Sequence, residues 1–351
     1  MAEQFDLTTA AALLELQADG VLLTRGRAVA YMNPAARQQL GGDFTGAAVS
    51  KVLPACLVNL QSHSCAAAVT AGERFFNVTV STAGLYRLYT LCRPQEPKPV
   101  AAPGQELWTH LMNLRMLTQQ LDAAAKRDES AEGKALSARF IKLYFQLHRK
   151  LTNASTLAGL DDGTLPYVPA EVNCVPALRA INGALAGLTE GQGITLQTEL
   201  PEEPVCVNAD GELLNRAFLN LLLNGLQHCA PGDTLRLRLH ASGDTVTIAL
   251  SDHGPGVPAE QMRDLLCPSE RGGLAVVQGV VRLHGGSFLM ENNPGGGAVA
   301  RVLLPRVTKT ASLHSPAALR EADAAMALLS GLADFLTPEQ ARQLSAETEF
   351  V

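Results

Sequence analysis

The chain has 351 residues, 47% of them hydrophobic and 18% charged, with a net charge of −6. That length predicts two or three compact units, each apolar enough to bury a core. The acidic balance, without any Lys/Arg run or aromatic-basic stripe, argues against a nucleic-acid binder.

The first twenty residues, MAEQFDLTTAAALLELQADG, lack the basic start of a signal peptide. No apolar run approaches about 18 residues, so no membrane span is expected and the chain is assigned to the cytoplasm. The seven cysteines show no C-x-x-C spacing and fit reduced thiols rather than a disulfide frame or zinc site. Residues 1–93 alternate short strand-like runs with one helix. GVLLT and RAVAYMN flank a turn at Arg25-Gly26, NPAARQQLGG predicts a helix opened by Pro34, and RFFNVTVS and LYRLYTLC predict two further strands. RPQEPKPVAAPGQE is a proline-rich linker around 94–104.

Residues 105–160 predict two helices around a break at KRDESAEGK. Leu107, Leu111, Leu114 and Leu121 form one apolar stripe, and Leu136, Phe140, Leu143 and Leu147 form another. Such a pair is an antiparallel hairpin, either a plain connector or half of a four-helix bundle made with a second copy. Residues 168–306 predict helices near 170–189, from Asp210 and near 273–284, interleaved with strands, in an α+β pattern rich in antiparallel pairs. The tail, 307–351, carries an accessory helix over SPAALREADAAMALLSGLADFL.

DGELLNRAFLNLLLNGLQHC is the informative helix. Asp210 caps it, Leu214, Phe218, Leu221 and Leu222 supply a core face, and Asn220, Asn224, Gln227 and His228 share another face. Two asparagines one turn apart in a leucine-rich helix are costly to bury unless something satisfies them, and a hard cation with phosphate oxygens could do so. Taken alone, N-x-x-x-N fits a solvent face or a cap on a neighbouring loop better than a ligand site. A strand then ends in ALSDHGPGVP, where Asp252 could accept from an adenine amine while Gly254 and Gly256 let backbone approach a flat base. Gly273 opens a helix, GGLAVVQGVVRLHGG, whose N-terminus could receive phosphate.

Together, NLLLNGLQH, DHGPG, GGLAVVQGVVRLHGG and GGGAVARVLLP make residues 168–306 resemble the ATP-binding domain of sensor histidine kinases, gyrase-type ATPases and heat-shock chaperones. ADGVLLTRGRAVAYMNPAA resembles a PAS sensor domain, and the hairpin lies where histidine kinases place their dimerisation and phosphotransfer helices. The resemblance implies ATP and Mg²⁺ as ligands, with Asn224 on the metal and Asn220 supporting phosphate or metal. It also implies His228 near phosphate, Asp252 on adenine with Gly254 and Gly256 shaping that wall, and Gly273 at the phosphate-facing helix. Hydrolytic members carry a glutamate where this chain has Asn220, so the resemblance favours phosphotransfer over a gyrase-like ATPase.

Four departures stand out. Only 16 residues separate Gly256 from Gly273, which shortens the lid. In SERGGL, Ser269 and Arg271 take two glycine positions, and Arg271 either obstructs the phosphate or contributes a charge-assisted contact. Ala298 replaces a common hydroxyl residue. His110 is the phosphoacceptor implied by position, but Leu111 follows it in place of an acid. The resulting expectation is a homodimeric histidine kinase acting on a response regulator; the alternative is a pseudokinase scaffold that binds such a partner without phosphotransfer.

Overall fold

The computed structural model describes residues 11, 14–60, 64–71, 74–92, 102–128, 131–258, 261–262, 265, 272–293, 296–307, 330, 332–333 and 336–347. Arg271 and Ser269, most of the proline-rich linker and most of the Ala-rich tail segment lie outside them.

The N-terminal unit is built from β1 (Gly20–Arg25), β2 (Ala28–Met32), α1 (Pro34–Leu40), α2 (Ala55–Val58), β3 (Ser64–Ala71), β4 (Arg74–Ala83) and β5 (Tyr86–Cys92). Gly26 turns the first hairpin in the left-handed region, φ 61°. Asn33, fully buried, caps α1. Its side-chain oxygen accepts from the N–H groups of Ala36 and Val21, each at 2.8 Å, and its amide donates to the carbonyls of Leu14 and Asp19. One asparagine thereby ties the chain entry, β1 and α1 together.

Two long helices follow, α3 (Gln105–Asp128) and α4 (Ala131–Asp162). Ser137 Oγ donates to Asp122 Oδ1 at 2.9 Å near the tip, and the Trp108 and His148 rings meet edge-on 6.1 Å apart towards the open end. The pair is therefore an antiparallel hairpin. Its inner face is not the leucine stripe expected on the second helix. Ile141, Tyr144 and Phe145 are buried with Leu111, whereas Leu136, Phe140, Leu143 and Leu147 are 40–53% exposed. The cause is a second set of neighbours, because α4 also packs on the C-terminal domain and on the tail.

The C-terminal domain contains β6 (Ala170–Asn173), α5 (Cys174–Gly191), β7 (Thr195–Glu199), β8 (Cys206–Ala209) and α6 (Gly211–Gln227). It continues through β9 (Thr234–Ser242), β10 (Thr245–Ser251), α7 (Gly273–Leu283), β11 (Ser287–Asn292) and β12 (Ala298–Pro305). Asp210 caps α6, accepting from the N–H groups of Glu212 and Leu213, and its own N–H donates to His284 Nε2 at 2.9 Å. His284 Nδ1 donates in turn to the Val280 carbonyl, and burial lowers its pKa, so the ring is a neutral tie between α6 and α7. In the tail, α8 (Pro338–Glu347) lies on α4. Lys142 Nζ donates to the Leu336 carbonyl at 2.8 Å, Arg342 pairs with Asp122 at 3.1 Å, and Ser330 Oγ sits 2.8 Å from His148 Nδ1. Burial, with Arg216 and Arg115 nearby, pushes the pKa of His148 down to about 4.

The two units share one sheet, in the order β2-β1-β5-β4-β3-β11-β12-β10-β9-β7. At the junction Phe288, Leu289 and Met290 pair antiparallel with Ala68, Ala67 and Ala66. Because side chains alternate across a strand, Ala66, Ala68, Phe288 and Met290 join the C-terminal core, and Ala67 and Leu289 join the N-terminal core. Arg282 stacks over the Phe75 ring at 5.0 Å across the same junction. Leu289 is 2% exposed. Leu289→Ala is expected to cost about 3 kcal/mol, measured by urea unfolding, and to speed hydrogen exchange in both β3 and β11.

Candidate functional site

Helix α6 forms because Asp210 caps it and a leucine face buries it; Gly225 lets its last turns settle on Leu235 and Leu250 of the sheet. This seating brings the C-terminal end of α6 against the turn that follows β10. A Cβ on Gly254 would lie 2.9 Å from the His228 carbonyl. His228 ends the helix and is exposed.

In the turn, Asp252 is 9% exposed, and its Oδ1 accepts from the N–H groups of Gly254 at 2.9 Å and Ala298 at 3.0 Å. Two backbone donors fix the carboxylate, while Oδ2 carries no hydrogen bond among the described residues. A fixed carboxylate with one open oxygen can accept from an exocyclic amine. Ala298 thus contributes through its backbone. Sequence reasoning singled it out only for the hydroxyl it lacks. Asn292, which it missed, holds the far side of the turn by accepting from Val257 N–H and donating to Val257 carbonyl, both at 2.8 Å. Gly256 and Gly297 adopt φ 74° and 86°, and a Cβ on Gly297 would run into the Asp252 carbonyl.

At the other end of the face, the first turn of α7 meets Asn220. A Cβ on Gly273 would stand 2.7 Å from Asn220 Oδ1. The missing side chain permits this close approach, which sets the start of α7 beside the asparagine ladder. Asn224, one turn further along α6, is half-buried and makes no hydrogen bond among the described residues, so its amide oxygen is open to a hard cation. Asn220 differs. It is 8% exposed, and Asn153 of α4 faces it: Asn153 Nδ2 donates to Asn220 Oδ1 at 3.2 Å, and Asn220 Nδ2 donates to Asn153 Oδ1 at 3.4 Å and to the Arg216 carbonyl at 2.9 Å.

The structure therefore gathers Asn220, Asn224, His228, Asp252, Gly254, Gly256 and Gly273 around α6 and its two neighbours. His110 is not among them. It is exposed on α3, whereas the hairpin helix that touches α7 is α4. No group of three His, Cys, Asp or Glu side chains gathers as a metal cluster among the described residues. A Mg²⁺ here would depend on the amide of Asn224 and on oxygens supplied by a bound phosphate. None of the helices described is long and apolar enough to cross a membrane.

Residues 209–308 match the family of histidine kinase-, DNA gyrase B- and HSP90-like ATPases. The sensor protein KdpD of Escherichia coli is 30% identical over 139 residues, covering 36% of this chain and 16% of that protein. The signal transduction histidine-protein kinase BaeS of the same organism is 30% identical over 158 residues, covering 41% of this chain and 34% of BaeS. The chain thus spans about a sixth and a third of the lengths of these two relatives. Among solved structures, full-length ShkA in complex with AMPPNP is 20% identical over 65% of this chain and 54% of that one, with a TM-score of 0.48.

The anchoring of Asp252 depends on backbone that only Gly297 supplies. Gly297→Ala is expected to cost roughly 2–3 kcal/mol in urea unfolding. It should also disturb the Asp252 turn, visible as amide shift changes at 252–257 with the N-terminal unit unaffected.

Proposed function

Because the chain is a member of the histidine kinase ATP-binding superfamily, we propose that it is a cytoplasmic, homodimeric histidine kinase with an N-terminal PAS sensor, residues 1–93. In this reading 105–160 form the dimerisation and phosphotransfer hairpin, 168–306 the ATP-binding domain, and 307–351 an accessory tail. The observation that carries the reading is Asp252: a buried carboxylate, fixed through one oxygen and open through the other, beside the helix that bears the asparagine ladder.

Adenine would lie on the Asp252–Gly256 turn and the phosphates would run along α6 towards Gly273. Asn224 would hold Mg²⁺, and the ion would offset the charge on the phosphates. With Asn220 in place of a glutamate, no carboxylate stands there to activate water, so transfer to a side chain is favoured over hydrolysis. The imidazole of His110 would attack the γ-phosphorus, and ADP would leave with the bridging oxygen. The phosphoryl group would pass on to an aspartate of a response regulator.

Incubation with labelled ATP and Mg²⁺ tests the chemistry. Acid-labile, base-stable label is expected on the wild type and absent from His110→Ala. ATP should raise the melting temperature by a few degrees, a rise that Asp252→Ala removes. A rise without label would leave a nucleotide-responsive scaffold, and neither label nor rise would overturn the kinase reading.

The dimer reading rests on the outward stripe of α4, Leu136, Phe140, Leu143 and Leu147, together with Met112, Met116 and Leu117 on α3. A monomer seldom leaves so many large apolar side chains in water on one pair of helices. Phe140→Glu with Leu143→Glu should convert a dimer into a monomer in sedimentation experiments while leaving the circular dichroism unchanged.

A further inference from the structure

Among the described residues, Asn220 is the member of the ladder whose side chain is already satisfied, and the group that satisfies it comes from the hairpin. Asn153 and Asn220 exchange amide hydrogen bonds in both directions, 67 residues apart in sequence. The contact belongs to a continuous face of α4. One turn on, Thr156, 1% exposed, receives a hydrogen bond from Arg216 Nη1 of α6. A further turn on, Leu160 fits over Gly279 of α7, where a Cβ would meet its Cδ1 at 2.6 Å. Residues 153, 156 and 160 fall at helical spacing, so one face of α4 is shaped to lie across α6 and α7 at the Asn220 end of the site.

Where α4 lies here, it is also held from outside. Lys142 and His148 meet the tail at Leu336 and Ser330. The hairpin helix is thus clamped between the tail and the nucleotide face. The group it presents to Asn220 is an amide, which satisfies the donor and the acceptor of that side chain together.

We propose that Asn153 is an internal competitor for Asn220: while α4 is docked, Asn153 holds the amide that a phosphate or its metal would use, so nucleotide and hairpin exclude one another at this position. The proposal rests on the nucleotide-binding reading given above and adds its regulation. A site that must first release Asn153 binds more weakly than its intrinsic affinity, in proportion to the fraction undocked. The coupling is reciprocal, so bound nucleotide must in turn loosen α4.

The test is calorimetric titration of the full chain with ATP and Mg²⁺, for the wild type, Asn153→Ala and Thr156→Val. Removing the amide pair should tighten ATP binding roughly tenfold, and Thr156→Val should shift it in the same direction by less. Saturating ATP should speed amide exchange over residues 150–160 of the wild type. Thermal melts report whether each variant is folded, and Thr156→Val carries the test if Asn153→Ala is not. Equal affinities would overturn the competition and leave the nucleotide reading standing. Weaker binding by Asn153→Ala would overturn it too, making Asn153 an aid to the ligand. Absence of binding by every form would remove both readings together.

Discussion

A strand edge with bare N–H and C=O groups must be paired or covered, and β11 ends the C-terminal sheet with such an edge. Here the N-terminal unit covers it. Strand β3 is almost all small residues, SCAAAV over Ser64–Val69, and this lets two cores close against it from opposite sides. Phe288 and Met290 fill one side and Leu289 the other. The buried Glu291 at the same edge is paired with Arg301 of β12. Burial and the charge of Glu291 together raise the pKa of the Cys65 thiol, so it behaves as a small apolar filler. With that junction in place, the N-terminal unit and the C-terminal domain are continuous through hydrogen bonds as well as through packing.

The sheet presents its helix layer, α5, α6 and α7, on one side, and the candidate site is a property of how α6 sits there. Its C-terminal end is fixed by the fit of Gly225 onto Leu235 and Leu250 and by His228 against Gly254. Its N-terminal end is fixed by Asp210 and His284. Between those anchors the polar face is free to serve chemistry. Among the described residues, Asn224 on that face and the outer oxygen of Asp252 beside it are open, and Asn220 is occupied.

Much of this was legible in the sequence because its signals are local. The ladder at Asn220 and Asn224, the turn at Asp252 and the helix start at Gly273 each declare themselves within a few residues, and α6 and α7 begin where capping and glycine predict. Strand β3 was invisible, since alanine has little strand preference and its burial depends on β11, more than 200 residues away. Asn153 was invisible for a similar reason: an asparagine in a long helix carries no mark of the partner it will meet. Helix α8 has little apolar character of its own and is held by Arg342 on Asp122, a pair that spacing cannot announce. The stripe at Leu136, Phe140, Leu143 and Leu147 was visible as a pattern, but pattern alone could not say which neighbour it faces. Periodicity identifies an apolar face, whereas occupancy is decided by everything else that packs on the helix.

The parts of the molecule differ in what separating them would cost. Parting the N-terminal unit from the C-terminal domain breaks a strand ladder and exposes two cores, each sealed by side chains less than a tenth exposed. Lifting α4 from α6 and α7 breaks an amide pair, one Arg216–Thr156 hydrogen bond and a modest apolar contact around Leu157 and Leu160. Neutral hydrogen bonds such as the amide pair contribute about 1 kcal/mol each, and one from a guanidinium about 1.5–3 kcal/mol, because water replaces them when they open. The lower-cost opening is therefore between hairpin and helix layer. The polar groups uncovered by that opening are Asn220 and Arg216.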